Sequence, residues 1–200
     1  MSSRVVSGKA RGIRLKLVPG DTTRPIMDRV KESLFNILGP QHGTRWLDLF
    51  AGTGQVGIEA LSRGAAAAVF VDNARAAVQT VRENLAATRL TEGGRVVSSD
   101  AFQFLRETSE PPFDVVFIAP PQYREIWEAA LTIVDAAADR YLTPEGQVVV
   151  QIDPREFREL PLQALILRDK RKYGNTLLCF YERGQGTDIE AMETGPSPAK

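Results

Sequence analysis

The stretch Trp46-Leu47-Asp48-Leu49-Phe50-Ala51-Gly52-Thr53-Gly54-Gln55-Val56-Gly57 sets a glycine-rich turn between an apolar, strand-like run and a helix-like one. Glycines let a backbone turn tightly and come close to a ligand, and the helix that follows aims its free N–H groups at whatever sits there. Beyond this turn, short apolar runs alternate with amphipathic segments, the pattern of βαβ units around a parallel sheet. Strands are predicted over 46–50, 68–72, 95–98, 113–119 and 147–152, and helices over 54–63, 73–89, 101–107 and 123–140. The runs 164–172 and 176–182, joined through Tyr173-Gly174-Asn175, predict a closing antiparallel hairpin.

Ahead of this core, Val5 to Leu17 shows hairpin patterning, with basic residues alternating against apolar ones around Gly8 and Gly12. Pro25 suits a first helical turn, and Ile26, Val30, Leu34, Ile37 and Leu38 follow at helical spacing until Gly39-Pro40 stops the helix. Residues 1–44 therefore read as a basic hairpin-and-helix extension, 45–183 as one ligand-binding α/β domain, and 184–200, rich in glycine, proline and small polar residues, as a disordered tail.

Asp48 decides which ligand the glycine turn suits. Gly52, Gly54 and Gly57 satisfy the dinucleotide spacing, but a helix N-terminus that holds a pyrophosphate is poorly served by a carboxylate at the strand end. A cationic ammonium and sulfonium are well served by it, so the turn points to S-adenosylmethionine and away from a nicotinamide cofactor. Asp72, about twenty residues beyond the first glycine, is placed for a ribose diol. Asp100 suits an adenine amino group, although capping the next helix explains it equally well. The candidate cofactor-binding set is Asp48, Phe50, Gly52, Gly54, Asp72, Asn73, Asp100 and Ala101.

With 43% hydrophobic and 25% charged residues and no apolar run of membrane-spanning length, the chain reads as soluble, and no secretory signal pattern opens it, so a cytoplasmic location is expected. One cysteine, Cys179, and one histidine, His42, make neither an internal disulfide nor a metal cluster, so no metal is expected. They read as a core thiol and a solvated loop imidazole. Net charge is zero, yet the first thirty-one residues hold Arg4, Lys9, Arg11, Arg14, Lys16, Arg24, Arg29 and Lys31 against Asp21 and Asp28. That concentration makes Lys9, Arg11, Arg14, Arg24 and Arg29 candidates for RNA phosphate contacts, with Lys170-Arg171-Lys172 a further one or a protected sheet edge.

The phrase Leu47-Asp48-Leu49-Phe50-Ala51-Gly52-Thr53-Gly54, the basic opening, and Thr23-Arg24-Pro25-Ile26-Met27-Asp28-Arg29-Val30-Lys31-Glu32-Ser33-Leu34-Phe35-Asn36 together resemble the bacterial small-subunit ribosomal RNA guanine-N2 methyltransferase D family. The resemblance runs up to the Tyr173-Gly174-Asn175-Thr176 turn. It implies a Rossmann-like class I methyltransferase fold and transfer of a methyl group from S-adenosylmethionine to the 2-amino group of a guanine in 16S ribosomal RNA. The implied partner is that RNA or the assembled small subunit, and the expected state is a monomer.

Methyltransferases of planar nitrogens carry Asp, Asn or Ser, then Pro-Pro and an aromatic residue, after the fourth strand. The delocalised amine is a poor nucleophile, and acceptors that hold its hydrogens orient its lone pair. Here Ala119-Pro120-Pro121-Gln122-Tyr123 departs twice, with Ala119 in place of the acceptor and Gln122 before the aromatic. These five residues are the candidate catalytic set, with backbone carbonyls and Gln122 left to hold the amine. Two other readings stay open: a methyltransferase of a protein amide or small molecule, and an RNA-binding relative without catalysis.

Overall fold

The computed structural model describes residues 3–20 and 26–184. Two short strands, β1 (Ser3–Arg4) and β2 (Arg14–Leu15), pair antiparallel and lead into α1 (Asp28–Leu38). The main domain follows as β3 (Arg45–Asp48), α2 (Gln55–Ser62), β4 (Ala67–Asp72), α3 (Arg75–Thr88), β5 (Gly94–Ser98), α4 (Ala101–Glu107) and β6 (Phe113–Ile118). It closes with α5 (Ile126–Ala136), α6 (Ala138–Tyr141), β7 (Leu142–Ile152), β8 (Leu165–Tyr173) and β9 (Thr176–Arg183).

The seven-stranded sheet has the order β5-β4-β3-β6-β7-β9-β8, with β3 to β7 parallel and β9 inserted antiparallel between β7 and β8. This is the expected mostly parallel sheet with a closing hairpin, the class I methyltransferase architecture. Strand side chains alternate between two covered faces. Leu47, Val69, Val116 and Val148 pack towards α4 and α5 with Leu105, Trp127 and Leu131. Trp46, Phe70, Phe117 and Val149 pack towards α1, α2 and α3 with Leu34, Ile58 and Val81. From β3 the chain winds outward to β4 and β5, then crosses back to β6 on the other side of β3. That reversal opens a crevice at the carboxyl ends of β3 and β6.

Every residue of α2 is buried, because the N-terminal extension covers its outer side. Gly57 lies where a side chain would meet the Phe70 ring at 2.4 Å, so only a glycine lets α2 press this close to β4. Glu59, fully buried on α2, anchors the extension: it accepts from Val6 N (2.7 Å) and Ser7 N (2.9 Å) and pairs with Arg63 (2.8 Å) and the buried Lys31 of α1 (3.3 Å). Burial pushes the Lys31 ammonium below its ordinary pKa, and the Glu59 charge opposes that shift. At the far end of α2, Ser62 takes Ala10 N at 2.9 Å on its hydroxyl and Lys9 N at 2.8 Å on its carbonyl.

Three expectations are corrected. The helix predicted over 123–140 begins only at Ile126, since Tyr123 (φ 61°) and Glu125 (φ 54°) are left-handed, and it breaks at Ala137 before α6. Ile37 is 40% exposed and lies off the apolar stripe of α1. The strand predicted over 147–152 also starts earlier, at Leu142, since β7 pairs from there against Phe113 across a register shift. Arg24, Pro25 and the predicted tail from 185 onwards lie outside the described residues.

Removing one partner of a buried ion pair strands the other, so Glu59→Ala should cost about 3 to 5 kcal/mol of stability. Urea unfolding measures this, and an unchanged midpoint would contradict the anchoring role.

Candidate active site

The glycine turn is held by carboxylates. Gly52 (φ 53°) and Gly54 (φ 74°) are both left-handed, which their lack of a side chain permits, and Gly54 caps α2. Asp72, at the end of β4, accepts Gly52 N at 2.9 Å on one oxygen and Ala74 N at 2.9 Å on the other. A Cβ built on Gly52 would meet nothing within 4 Å, so this position faces open space at the crevice. Behind the turn, the buried Asn84 of α3 donates to Thr53 O (2.9 Å) and Lys16 O (3.1 Å) and accepts from Lys16 N (2.8 Å), which ties the extension to the turn.

Asp48 ends β3 at 2% exposure. Among the described residues its hydrogen bond is a long one, 3.3 Å from Gly57 N to one oxygen. Burial raises its carboxyl pKa to about 7; the Gly57 N–H works against the rise and the Asp72 charge adds to it. A buried carboxylate with spare acceptor capacity and a half-open acidic neighbour is a donor set for a cation, and the side-chain-free Gly52 leaves room for one. S-adenosylmethionine fits these residues by charge; a pyrophosphate does not.

Asp100 caps α4, accepting from Phe102 N (2.9 Å) and Gln103 N (3.0 Å). Capping and ligand contact are compatible, because each oxygen has two acceptor positions and Asp100 is exposed. Ser98 pairs with Asp72 in register, so the strand ends carrying Asp72 and Asp100 are neighbours at this rim. Asn73 is exposed, Phe50 is half-buried and Ala101 is buried at the start of α4.

The turn after β6 lies beside β3, where Leu49 N donates to Phe117 O at 3.0 Å. Ala119 is half-buried, Pro120 buried, and Pro121, Gln122 and Tyr123 exposed, Tyr123 at 58%. A short 3-10 turn, Pro154–Glu156, following β7, locks Tyr123 in place. Tyr123 N donates to Glu156 Oε1 at 2.7 Å and its hydroxyl donates to Asp153 Oδ2 at 2.8 Å. Arg155 pairs with Asp153 at 3.0 Å, donates to the Tyr123 hydroxyl, and sits 5.5 Å from the Tyr123 ring centre. The Arg155 hydrogen bonds hold the Asp153 carboxyl well below the usual carboxylate range, and the Asp153 contact raises the Tyr123 phenol. The strained backbone at Tyr123 is thus over-determined by its partners.

The basic residues divide between the two ends of the domain. Arg14 pairs across β1–β2 with Arg4, which binds Asp28 at 2.8 Å next to Arg29, all near the crevice end of α1. Lys9 and Arg11 sit at the tip of the extension by Ser62, about 10 Å away along α2 at 1.5 Å per residue. On β8, Lys170 covers the Phe157 ring at 4.1 Å and Arg171 pairs with Asp169 at 2.7 Å. Cys179 is a core thiol that burial pushes up to about 12, and His42 is exposed.

Sequence reasoning passed over Asp153, Arg155, Glu156 and Asn84. Asp153-Pro154-Arg155-Glu156 did carry a signal, since an acid, a proline at the first helical position and a glutamate three residues on form a capping box, which the structure contains. Asn84 carried none, because a polar residue inside an amphipathic helix reads as exposed.

Residues 3–182 match the family described as conserved hypothetical protein 95. The chain belongs to that family. YlbH of Bacillus subtilis is 42% identical over 185 residues, 90% of this chain and 98% of that protein. Ribosomal RNA small subunit methyltransferase D of Escherichia coli strain K12 is 38% identical over 149 residues, 74% and 73% of the two chains. The solved structure of yhhF from Escherichia coli superposes with a TM-score of 0.78 at 34% identity, covering 92% of this chain and 98% of that one. At 14% identity the fold recurs, with a TM-score of 0.61 over 80% of this chain and 94% of the other, in an RNA methyltransferase from Salinibacter ruber solved with S-adenosyl-L-homocysteine.

A carboxyl group that titrates near 7 and binds a cation only when ionised makes affinity depend on pH. Affinity for S-adenosylmethionine should rise about tenfold per unit below roughly pH 6, more gently towards 7, and level off above it. Asp48→Asn should bind more weakly and with a flat profile over that range; equal slopes for both proteins would show that Asp48 is not the titrating group.

Proposed function

We propose that this protein is an S-adenosylmethionine-dependent methyltransferase acting on the N2 exocyclic amine of a guanine in 16S ribosomal RNA, as free RNA or in the assembled small subunit. The observation that carries the reading is the crevice itself, where the buried Asp48 and the turn-holding Asp72 flank an open glycine position at the sheet's reversal point. Kinship with ribosomal RNA small subunit methyltransferase D directs it to RNA.

Bound S-adenosylmethionine supplies an electrophilic methyl group on a sulfonium. Asp48 holds the donor's positive end, Asp72 accepts from its ribose hydroxyls, and Asp100 with Ala101 borders its base. Phe50, Gly52, Gly54 and Asn73 complete the wall. On the other side of the crevice, the exposed Tyr123 ring stacks on the target base once it leaves its neighbours. A backbone carbonyl of the Ala119–Pro120 turn accepts an amine hydrogen, and Gln122 borders it. No side-chain base is needed at this step, because the methylated amine is a strong acid until it loses a proton to solvent.

Arg14 and Arg29 border the crevice and contact the RNA backbone there, with Lys170 and Lys172 on the β8 edge. Lys9 and Arg11, at the other end of α2, serve RNA that runs past the extension, and Arg24 belongs to the same basic set. Among the described residues no helix is long and apolar enough to cross a membrane. The proposed working form is a cytoplasmic monomer in which residues 1–44 recognise RNA and 45–183 carry the chemistry.

Incubation with labelled S-adenosylmethionine and unmodified small-subunit particles, followed by nucleoside analysis, should yield label in N2-methylguanosine. Label in protein alone would transfer the activity to a side-chain substrate, and no label anywhere would refute the methyltransferase.

A further inference from the structure

Ala119 leaves the site without the side-chain acceptor that amine methylation ordinarily uses, and the neighbouring strand carries one. β6 and β7 pair in parallel with Val115 opposite Gln147, Phe117 opposite Val149 and Ile118 opposite Val150. One more step along both strands sets Gln151 beside Ala119. Side chains alternate across a sheet, and Val115, Phe117 and Val149 belong to the face towards α1, α2 and α3, as does the Ala119 methyl. Gln151 therefore projects on the same face as Ala119, next to it, at the carboxyl ends of β6, which borders the crevice, and of its neighbour β7.

The Gln151 Oε1 atom is buried and has no hydrogen-bond partner among the described residues, and its amide nitrogen makes no bond there either. Buried amide oxygens are almost always paired, so an unpaired one at a strand end needs an explanation. Its only equal among the described side chains is Arg45 Nε, at the opposite end of the sheet. Half a turn about the last side-chain bond exchanges the amide oxygen and nitrogen, so this group can present an acceptor to whatever enters beside Ala119.

The geometry points to Gln151 as the acceptor for the target amine, replacing from β7 the side chain that position 119 lacks. The inference rests on the methyltransferase reading above and adds to it a residue that touches the reacting nitrogen. One amine hydrogen donates to the Gln151 amide oxygen and the other to a backbone carbonyl of the Pro-Pro turn, which pyramidalises the nitrogen and localises its lone pair towards the incoming methyl group. The nitrogen–methyl bond forms as the sulfonium–methyl bond breaks and leaves a neutral thioether; no bond to Gln151 forms or breaks, and the proton lost after transfer goes to solvent. An acceptor of this kind selects a nitrogen that carries two hydrogens and is indifferent to a ring nitrogen that carries none.

Three proteins test this, wild type, Gln151→Met and the double variant Gln151→Met with Ala119→Asp, each assayed in a single turnover at saturating S-adenosylmethionine and RNA. Gln151→Met should slow methyl transfer about 10- to 100-fold, the scale of a lost orienting contact. Its affinity for S-adenosylhomocysteine and its thermal midpoint should not fall, because the methionine replaces an unpaired polar group by an apolar one of similar length. Adding Ala119→Asp should restore much of the rate, an outcome that no purely structural role for Gln151 predicts. Gln151→Met transferring methyl at the wild-type rate would overturn the assignment while leaving the enzyme itself intact, and so would a double variant as slow as the single one. A wild type that transfers no methyl at all would instead remove the methyltransferase reading and this residue's role with it.

Discussion

Two carboxylates fix the turn on which the remaining architecture depends. Asp72 takes the Gly52 amide and Asp48 the Gly57 amide, so the chain leaving β3 reverses into α2 with its glycines towards the crevice. Elsewhere in such folds a turn of this shape receives phosphate groups, and its free amides alone would favour an anion. The buried acid at the strand end reverses that preference. Burial raises the Asp48 carboxyl pKa to about 7, so an arriving cation favours its ionised form and supplies the interaction that water no longer gives it.

The turn is braced from behind as well as from the front. Asn84 joins it to Lys16, and Glu59 joins α2 to the backbone at Val6 and Ser7. The N-terminal extension is thus fastened at both ends of α2. This explains why α2 is buried over its full length despite carrying a glutamate, and why basic residues of the extension reach both the crevice end and the far end of the domain. A similar brace operates across the crevice, where Asp153, Arg155 and Glu156 hold Tyr123 in a backbone conformation it would not adopt unaided.

Much of this was legible in the residues. The alternation of apolar runs and amphipathic segments specifies the parallel sheet, because strands covered on both faces must be apolar throughout, and Asp48 and Asp72 stand out as acids closing such runs. The limits have physical causes. Local propensity continues the fifth helix back to Tyr123, whereas tertiary hydrogen bonds from a segment thirty residues away pull that stretch into a left-handed turn. Gln151 was invisible for a related reason: its meaning comes from the register between β6 and β7, which sets it beside Ala119, and a strand's sequence does not state its neighbour's register. The spread of Lys9 and Arg11 away from Arg14 and Arg29 likewise follows from how the extension docks on α2, not from their order along the chain.

The preference of the crevice for a positively charged sulfur donor is the claim from which substrate and mechanism follow. Calorimetric titration of one protein sample with S-adenosylmethionine and, separately, with NADH tests it most directly. Saturable heat with the first and none with the second is the predicted result. Binding of NADH, or silence with both, would contradict it.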